Sequence, residues 1–228
     1  MARRRRDLAP APCRSTMWRV APSIWACLAS GRLILLDEER DRYFAVPDVR
    51  LEPILAWLCA EDGSPAPAPL KKLLGTGDDI PLSNLHRIEV RIPLGLSGRS
   101  TPAKVGLTAI MTVGRSILSV WVALRIKPLG AILDARARLR SAGAEIESID
   151  LDAAAQTFAA ARRWWPIKRN CLLDTLAIDQ WLGIPKSVKI VFGVIANPFE
   201  AHCWAQSDRG VLNDSYDRVS RFEPILAV

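Results

Sequence analysis

The sequence has few of the residues from which metal and nucleotide sites are built. Its 228 residues include two histidines and five cysteines, and no two cysteines have the Cys-x-x-Cys spacing of a zinc site. It also has no glycine-rich loop of the kind that cradles a phosphate group. We therefore expect a protein without a metal or another cofactor, whose chemistry comes from its own side chains.

A long uninterrupted apolar run is also missing, although 50% of the residues are hydrophobic. Residues 101–125 are the most apolar stretch, but Lys104, Arg115 and Arg125 interrupt it. We expect a buried or amphipathic helix there and no stable membrane insertion. Prolines and further arginines follow the N-terminal arginines, so no signal peptide forms. An odd number of cysteines without an export signal favours free thiols and predicts a cytoplasmic protein.

The formal net charge of +7 owes much to one segment. Residues 3–6 are four consecutive arginines, and we predict that residues 1–16 form a disordered basic tail. The rest of the chain is only mildly basic. A nucleic-acid partner is therefore not expected.

The remaining sequence predicts an α+β fold in two domains, over residues 17–85 and 86–228. The first domain would contain a three-stranded sheet and helices. Apolar periodicity predicts strands at residues 18–28, 33–37 and 42–46 and helices at 49–60, 70–74, 101–125, 129–142 and from Asp150 or Asp152 to Trp165.

Cys171 opens the most informative stretch of the second domain. Asn170 is a good N-cap, and the apolar spacing after it predicts a helix that begins at Cys171. A thiol in the first helical turn meets unpaired N–H groups and the positive end of the helix dipole. With Lys168 and Arg169 beside it, its pKa should fall below the usual value of about 8.5, as a nucleophile requires.

A base and an orienting acid follow Cys171 in the chain. His202 lies in an alternating run at residues 199–206 that predicts a strand, and a tight turn leads into a returning strand at 211–215. A three-residue loop with Gly210 in the left-handed conformation would place Asp214 on the face of His202, whereas a two-residue loop would place it on the other face. Cys203 would point to the opposite strand face and serve only in packing.

The order Cys171, His202, Asp214 is that of the transglutaminase-like, papain-related thiol enzymes. Residues 171–176, 189–194 and 199–206 resemble the lasso-peptide B protein family, which typically reads Cys-Leu-x-Arg-Ser-Leu, Ile-Gly-Val and Phe-x-Ala-His-Ala-Trp-Val-Glu. The sequence departs from these patterns at residues 174–175, 203 and 205–206. The resemblance implies a cysteine protease domain that cleaves the leader from a precursor peptide.

Residues 36–46 resemble the peptide recognition element of ribosomal-peptide maturation systems. This resemblance implies a winged-helix-like domain that binds the leader peptide as an added strand. It also implies a separate partner, an ATP-using, asparagine-synthetase-like cyclase that closes the freed core peptide. We assign substrate contacts to Leu35, Asp37, Tyr43, Phe44, Trp204 and Gln206.

Three functions remain open at this level. The first is hydrolysis, in which the Cys171 N–H is the first candidate for the oxyanion donor and Gln206 a weaker one. The second is acyl transfer of the transglutaminase or acetyltransferase kind, in which an amine replaces water. The third is a non-catalytic peptide-binding module with a buried cysteine.

Overall fold

Two antiparallel sheets and a group of helices make up the part of the chain that the computed structural model describes, residues 16–60, 64–75, 86–93, 105–142 and 150–228. The predicted basic tail lies outside these residues, except for Thr16. The strands are β1 Thr16–Ala21, β2 Ile24–Ala29, β3 Arg32–Asp37, β4 Arg42–Ala45, β5 His86–Glu89, β6 Val188–Ala196, β7 Phe199–Ser207 and β8 Glu223–Ala227. The helices are α1 Leu51–Ala60, α2 Ala68–Leu74, α3 Leu107–Ile126, α4 Leu129–Ala142, α5 Leu151–Arg162, α6 Cys171–Trp181 and the short α7 Tyr216–Val219.

The first sheet has the order β4-β3-β2-β1-β5, so it contains more strands than the three predicted. The predicted strand at residues 18–28 is two strands, because the chain turns at Pro22 and Ser23. Pro22 has no N–H to continue a ladder, and its carbonyl accepts a hydrogen bond from Arg19 Nε at 3.2 Å. The apolar alternation runs on through this turn, which is why periodicity alone predicted one strand.

Strands β2 and β3 are buried on both faces of the first sheet. Leu33 and Leu35 pack on α1 and α2 in one core cluster. Ile34 and Leu36 belong to another cluster that includes residues of α3, α4, α5, α6 and the second sheet. The two predicted domains therefore share a hydrophobic core. The winged-helix-like assignment of the first domain stays a prediction.

Strand β5 lies just beyond the predicted domain boundary between residues 85 and 86, in a region whose domain the sequence left open. It pairs with β1, with Met17 opposite Ile88, and so completes the first sheet. Val90, just after β5, joins a third core cluster with Trp204 of β7 and Phe222. The described residues that follow position 85 thus begin with a strand of the first sheet, and the division into two domains stays a prediction.

The second sheet has the order β7-β6-β8, and α6 packs against β7, its edge strand. The strands β6 and β7 were predicted at residues 189–194 and 199–206, and each is slightly longer than predicted. In the β6–β7 register Gly193 lies opposite His202. A side chain at Gly193 would come within 2.9 Å of both Trp204 and Phe222, so only glycine leaves room for the rings on this face.

The helices of the second half follow the sequence prediction closely. Helix α4 spans the predicted residues, and Asp150 caps α5 by accepting hydrogen bonds from Asp152 N and Ala153 N, both at 3.1 Å. Helix α3 is long and apolar enough to cross a membrane, a property that core helices of soluble proteins share. Its inner face, including Ile117 and Val120, is buried in the shared core.

Candidate active site

Cys171 begins α6, as the sequence predicted. The side chain of Asn170 caps this helix by accepting hydrogen bonds from Leu172 N at 2.8 Å and Leu173 N at 3.4 Å. Cys171 itself is partly buried, in the first turn. Its sulfur therefore lies at the end of the helix where negative charge is stabilised.

His202 and Asp214 are in direct contact. His202 Nε2 donates a hydrogen bond to Asp214 Oδ2 at 2.7 Å. The other oxygen of the carboxylate, Oδ1, accepts from Ser215 N at 2.8 Å, and Arg218 lies 3.9 Å from Oδ2. Because Nε2 is engaged by Asp214, Nδ1 is the nitrogen left for the Cys171 sulfur, which hydrogen-bonds His202.

The contact arises from a hairpin that differs from the predicted one. Gln206 pairs with Val211, and Ser207 N bonds Gly210 O at 2.9 Å, so the loop has two residues and Gly210 is not left-handed. In a regular ladder this register would turn Asp214 away from His202. The returning strand instead breaks off after Val211, and the freed chain brings Asp214 back to the His202 face.

The Cys171 thiol is strongly acidified, with its pKa lowered to about 4. The largest cause is a hydrogen bond from the Cys203 thiol, followed by one from His202, and these outweigh the opposing effect of burial. Burial lowers the pKa of His202, but the hydrogen bonds to Asp214 and Cys171 raise it by more than burial lowers it. The pKa of His202 is therefore raised to about 9. The pKa of Asp214 is lowered, since His202 and Ser215 stabilise its charge against the effect of burial. Cys171 and His202 therefore form a thiolate–imidazolium pair at neutral pH.

Residues 116–227 match the family model of the Transglutaminase-like superfamily. The C-terminal part of the chain is a transglutaminase-like domain. All of Cys171, His202 and Asp214 lie inside the matched residues. No curated protein and no solved structure matches the chain.

The ion pair in the transglutaminase-like domain gives a pH prediction. The alkylation rate of Cys171 should rise with pH through about 4, where the thiolate forms, and should not fall at higher pH. Turnover of a peptide substrate should rise through the same range and fall again through about 9, where His202 loses its proton. Rates of iodoacetamide labelling and of turnover, measured from acidic to alkaline pH, test both the expected rise and the expected fall. A Cys171 that reacts only above neutral pH would contradict the ion pair.

Cys203 is closer to the reaction centre than its strand parity predicted. The start of α6 lies beside β7, the edge strand of the second sheet, which brings Cys171 close to Cys203 as well as to His202. The contact with Cys171 and burial together raise the pKa of Cys203 well above its usual value, so it is a neutral thiol. Cys203 packs in the core cluster, as predicted, and its Sγ also donates to Thr175 Oγ1 at 3.7 Å.

Thr175 and Asn213 form hydrogen bonds that connect α6, β7 and the segment that carries Asp214. The buried Thr175 hydroxyl donates to Cys203 O at 3.1 Å and accepts from Asn213 Nδ2 at 2.7 Å. Asn213 Oδ1 in turn accepts from Ala205 N at 2.8 Å. Sequence reasoning missed both residues, although the spacing of Thr175 from Cys171 places them one helical turn apart.

We expect Thr175→Val to reduce turnover without removing it, because the bonds that position β7 against α6 are lost and their buried partners stay unpaired. Thr175→Ser keeps the hydroxyl and should restore both turnover and the pH profile of Cys171 alkylation. Equal loss in the two variants would assign Thr175 to packing alone.

Arg162 fixes the loop that leads to Cys171. This almost fully buried side chain bonds Asp174 Oδ1 at 2.7 Å, Trp165 O at 3.1 Å and Ile167 O at 2.9 Å. Asp174 stands where the lasso-peptide B pattern has arginine. Here that position has an arginine partner of its own on α5, which the sequence alone did not indicate.

Four of the residues predicted to contact the substrate are buried in the structure. Leu35 lies fully buried in the core, and Asp37 is buried and bonded to Arg40 at 2.8 Å. Trp204 is also fully buried, and its Nε1 donates to Gln206 Oε1 at 2.7 Å. Gln206 is buried as well, and its Nε2 donates to Arg91 O at 2.9 Å. All four side chains therefore have packing or hydrogen-bond partners inside the protein.

Tyr43 and Phe44, the other predicted contacts, are half-buried on the edge strand β4. The Tyr43 ring packs against Phe199, at the start of β7, with ring centroids 5.6 Å apart. Burial raises the pKa of the Tyr43 hydroxyl, and the charges of Asp41 and Cys171 raise it further. Tyr43 is therefore a residue of the first sheet that lies near the nucleophile.

A cleft of about 650 Å³ adjoins the nucleophile. Its lining includes Asn170 and Leu172, the neighbours of Cys171 in the chain, together with residues of the turn between β3 and β4 and of the last turn of α3. The cleft thus connects the first sheet to the transglutaminase-like domain, and we call it the α3–α6 cleft.

Asp214 gives a second prediction for this site. Asp214→Ala should lower turnover by roughly 10²–10⁴-fold, less than loss of the cysteine or histidine, because a base remains in reach of the thiol. The pKa of His202 should fall, since the hydrogen bond that raises it is lost. Asp208→Ala, at the exposed hairpin turn, is the matched control and should be nearly silent. Kinetics and histidine titration by NMR test the ranking, and the opposite order would reject Asp214 as the orienting acid.

Proposed function

We propose that this protein is a cysteine peptidase that removes the leader segment from the precursor of a lasso peptide. The observation that carries the proposal is the Cys171–His202–Asp214 arrangement, in which a thiolate, an imidazolium and an orienting carboxylate are hydrogen-bonded in series. A transglutaminase-like domain supports a cysteine-based acyl chemistry at these residues.

The first sheet provides a place for the leader. Its edge strand β4 has one unpaired side, along which an extended peptide can add as a further strand. Tyr43 and Phe44 would then be the side chains beside the leader. A peptide that leaves β4 at its turn would enter the α3–α6 cleft, whose lining includes Asn170 and Leu172, the chain neighbours of Cys171. Binding and cleavage would therefore occur on one continuous surface.

The chemistry follows from the ion pair. The Cys171 thiolate attacks the carbonyl carbon at the leader–core junction, and the Cys171 N–H stabilises the oxyanion. The His202 imidazolium gives its proton to the departing amine as the C–N bond breaks, which leaves an acyl-enzyme and frees the core peptide. Neutral His202 then takes a proton from water, whose oxygen attacks the thioester and releases the leader as a carboxylic acid.

Two partners belong to this proposal, the precursor peptide and an asparagine-synthetase-like cyclase that uses ATP to close the freed core. We also propose that the reaction takes place in the cytoplasm. The Transglutaminase-like superfamily includes acyltransferases as well as cysteine proteases, so the fate of the acyl-enzyme needs a direct measurement.

The test is incubation of the purified protein with a lasso-type precursor, followed by mass spectrometry of the products. Hydrolysis releases a leader that ends in a free carboxylate, which is the expected result. A leader that carries a new amide would establish acyl transfer instead. If the protein binds the precursor without any turnover while its Cys171 is still reactive, the protein is a peptide-binding module and not a peptidase.

A further inference from the structure

The α3–α6 cleft carries an excess of positive charge beside the nucleophile. Its lining includes five basic residues against two acidic ones. The acidic residues are Glu39 and Asp41, and the basic ones are Arg40, Arg125, Lys127, Lys168 and Arg169.

Local interactions account for the positions of three of these basic residues. Arg40 is bonded to Asp37 at 2.8 Å. Arg125 lies over the ring of Trp121, 3.7 Å from its centroid, and both Arg125 and Lys127 stand at the C-terminal end of α3, where cations are favourable.

Among the described residues, no interaction of these kinds accounts for the positions of Lys168 and Arg169. They directly precede the N-terminus of α6, the end of a helix at which a positive charge is unfavourable. Neither has an ion-pair partner in the part of the chain that the structure describes. The low pKa of Cys171 arises mainly from Cys203 and His202, so these two cations are not needed for it.

Apolar side chains lie between these charges. Trp121, Leu124, Leu129, Ile167, Leu172 and Leu173 also line the cleft. A groove with an apolar lining and basic residues fits a peptide segment that has apolar side chains flanked by carboxylates. One exposed ion pair contributes little, but several cations around a concave surface raise both the local concentration of an acidic ligand and its association rate.

We propose that the α3–α6 cleft binds an acidic segment of the peptide substrate next to the scissile bond, and that Lys168 and Arg169 select for Asp or Glu side chains there. This inference rests on the proposed function in so far as the ligand is a peptide substrate. It adds a requirement on the substrate sequence that the catalytic residues do not impose.

The experiment uses the full-length protein and protection of Cys171 from iodoacetamide, followed by mass spectrometry of the peptide that contains Cys171. The probes are three short peptides with blocked ends in which Leu and Gly alternate with Glu, with Gln or with Lys. We expect the Glu peptide to protect at concentrations about tenfold lower than the Gln peptide, as two or three screened ion pairs would give. The Lys peptide should not protect, and about 0.5 M salt should remove the advantage of the Glu peptide.

A charge-reversal variant and a matched control complete the test. Lys168→Glu combined with Arg169→Glu should abolish the preference for the Glu peptide, while Lys189→Glu, an exposed substitution on β6 that does not line the cleft, should keep it. Equal protection by the three peptides overturns the inference, as does an unchanged preference in the double variant. Stronger protection by an oligonucleotide than by the Glu peptide also overturns it, because the cleft would then bind polyanions in general.

The outcomes separate this inference from the proposed function. If precursor cleavage fails while the Glu peptide protects Cys171, the peptidase assignment is wrong and the acidic-ligand cleft stands. If the wild-type protein cleaves the precursor equally well whether its residues near the junction are acidic or neutral, the cleft inference is wrong and the peptidase assignment stands.

Discussion

Replacement of Cys171 by alanine should eliminate cleavage of a precursor peptide and leave both the fold and leader affinity intact. The change removes a single sulfur atom at the start of α6, where the side chain is only partly buried and the Asn170 cap does not depend on it. Without the thiolate no acyl-enzyme can form, so turnover should fall by at least about 10⁴-fold. Product analysis by mass spectrometry, together with circular dichroism and titration of a labelled leader, measures all three properties.

Cys59 offers a matched control for this substitution. It is an exposed free cysteine on α1, away from the transglutaminase-like domain. Cys59→Ala should keep the wild-type rate. If Cys171→Ala still cleaved at the wild-type rate, the acyl-enzyme mechanism would be wrong.

Asp179→Ala should be the most damaging single change to stability among the acidic positions discussed. Asp179 is fully buried on α6 and bonds Arg136 Nη1 at 2.5 Å and Arg140 Nη2 at 2.6 Å, both on α4. Its removal leaves two largely buried guanidinium groups without their carboxylate. Breaking a buried ion pair in this way costs about 3–5 kcal/mol, which urea unfolding followed by tryptophan fluorescence would measure.

Asp134→Ala is the control for that measurement. Asp134 lies on α4 with the two arginines, but it is exposed, and its loss should change the free energy of unfolding by less than about 0.5 kcal/mol. A loss of under about 1 kcal/mol in Asp179→Ala would show that water or a rearranged arginine replaces the carboxylate.

The shared core has a consequence for dividing the protein. Residues 17–85 alone would leave Ile34 and Leu36 without the helices that cover them, and would lose β5 from the edge of the sheet. The sequence suggested two domains, over residues 17–85 and 86–228, each able to act without the other, because strand addition needs only an exposed sheet edge. Local composition does not reveal that the second face of the first sheet is also buried.

Local patterns were sufficient where hydrogen bonds and burial repeat along the chain. The Asn170 cap, the start of α6 at Cys171 and the limits of α4 all follow from capping chemistry and a helical period, and the structure confirms them. The hairpin after β7 was less predictable. Its register depends on a choice between turn types of similar energy, and the structure has the two-residue loop that the sequence argument did not favour.

The residue types available for chemistry are evident from the sequence alone: one cysteine at a capped helix start, one histidine on a strand, and aspartates beyond it. That Asp214 reaches His202 follows from the fold, because this needs the strand to break after Val211. The fold also brings Cys203 next to Cys171. Contacts of this kind join residues that are far apart in the chain, and they depend on how α6 packs against the edge of β7, a distance that no local pattern encodes.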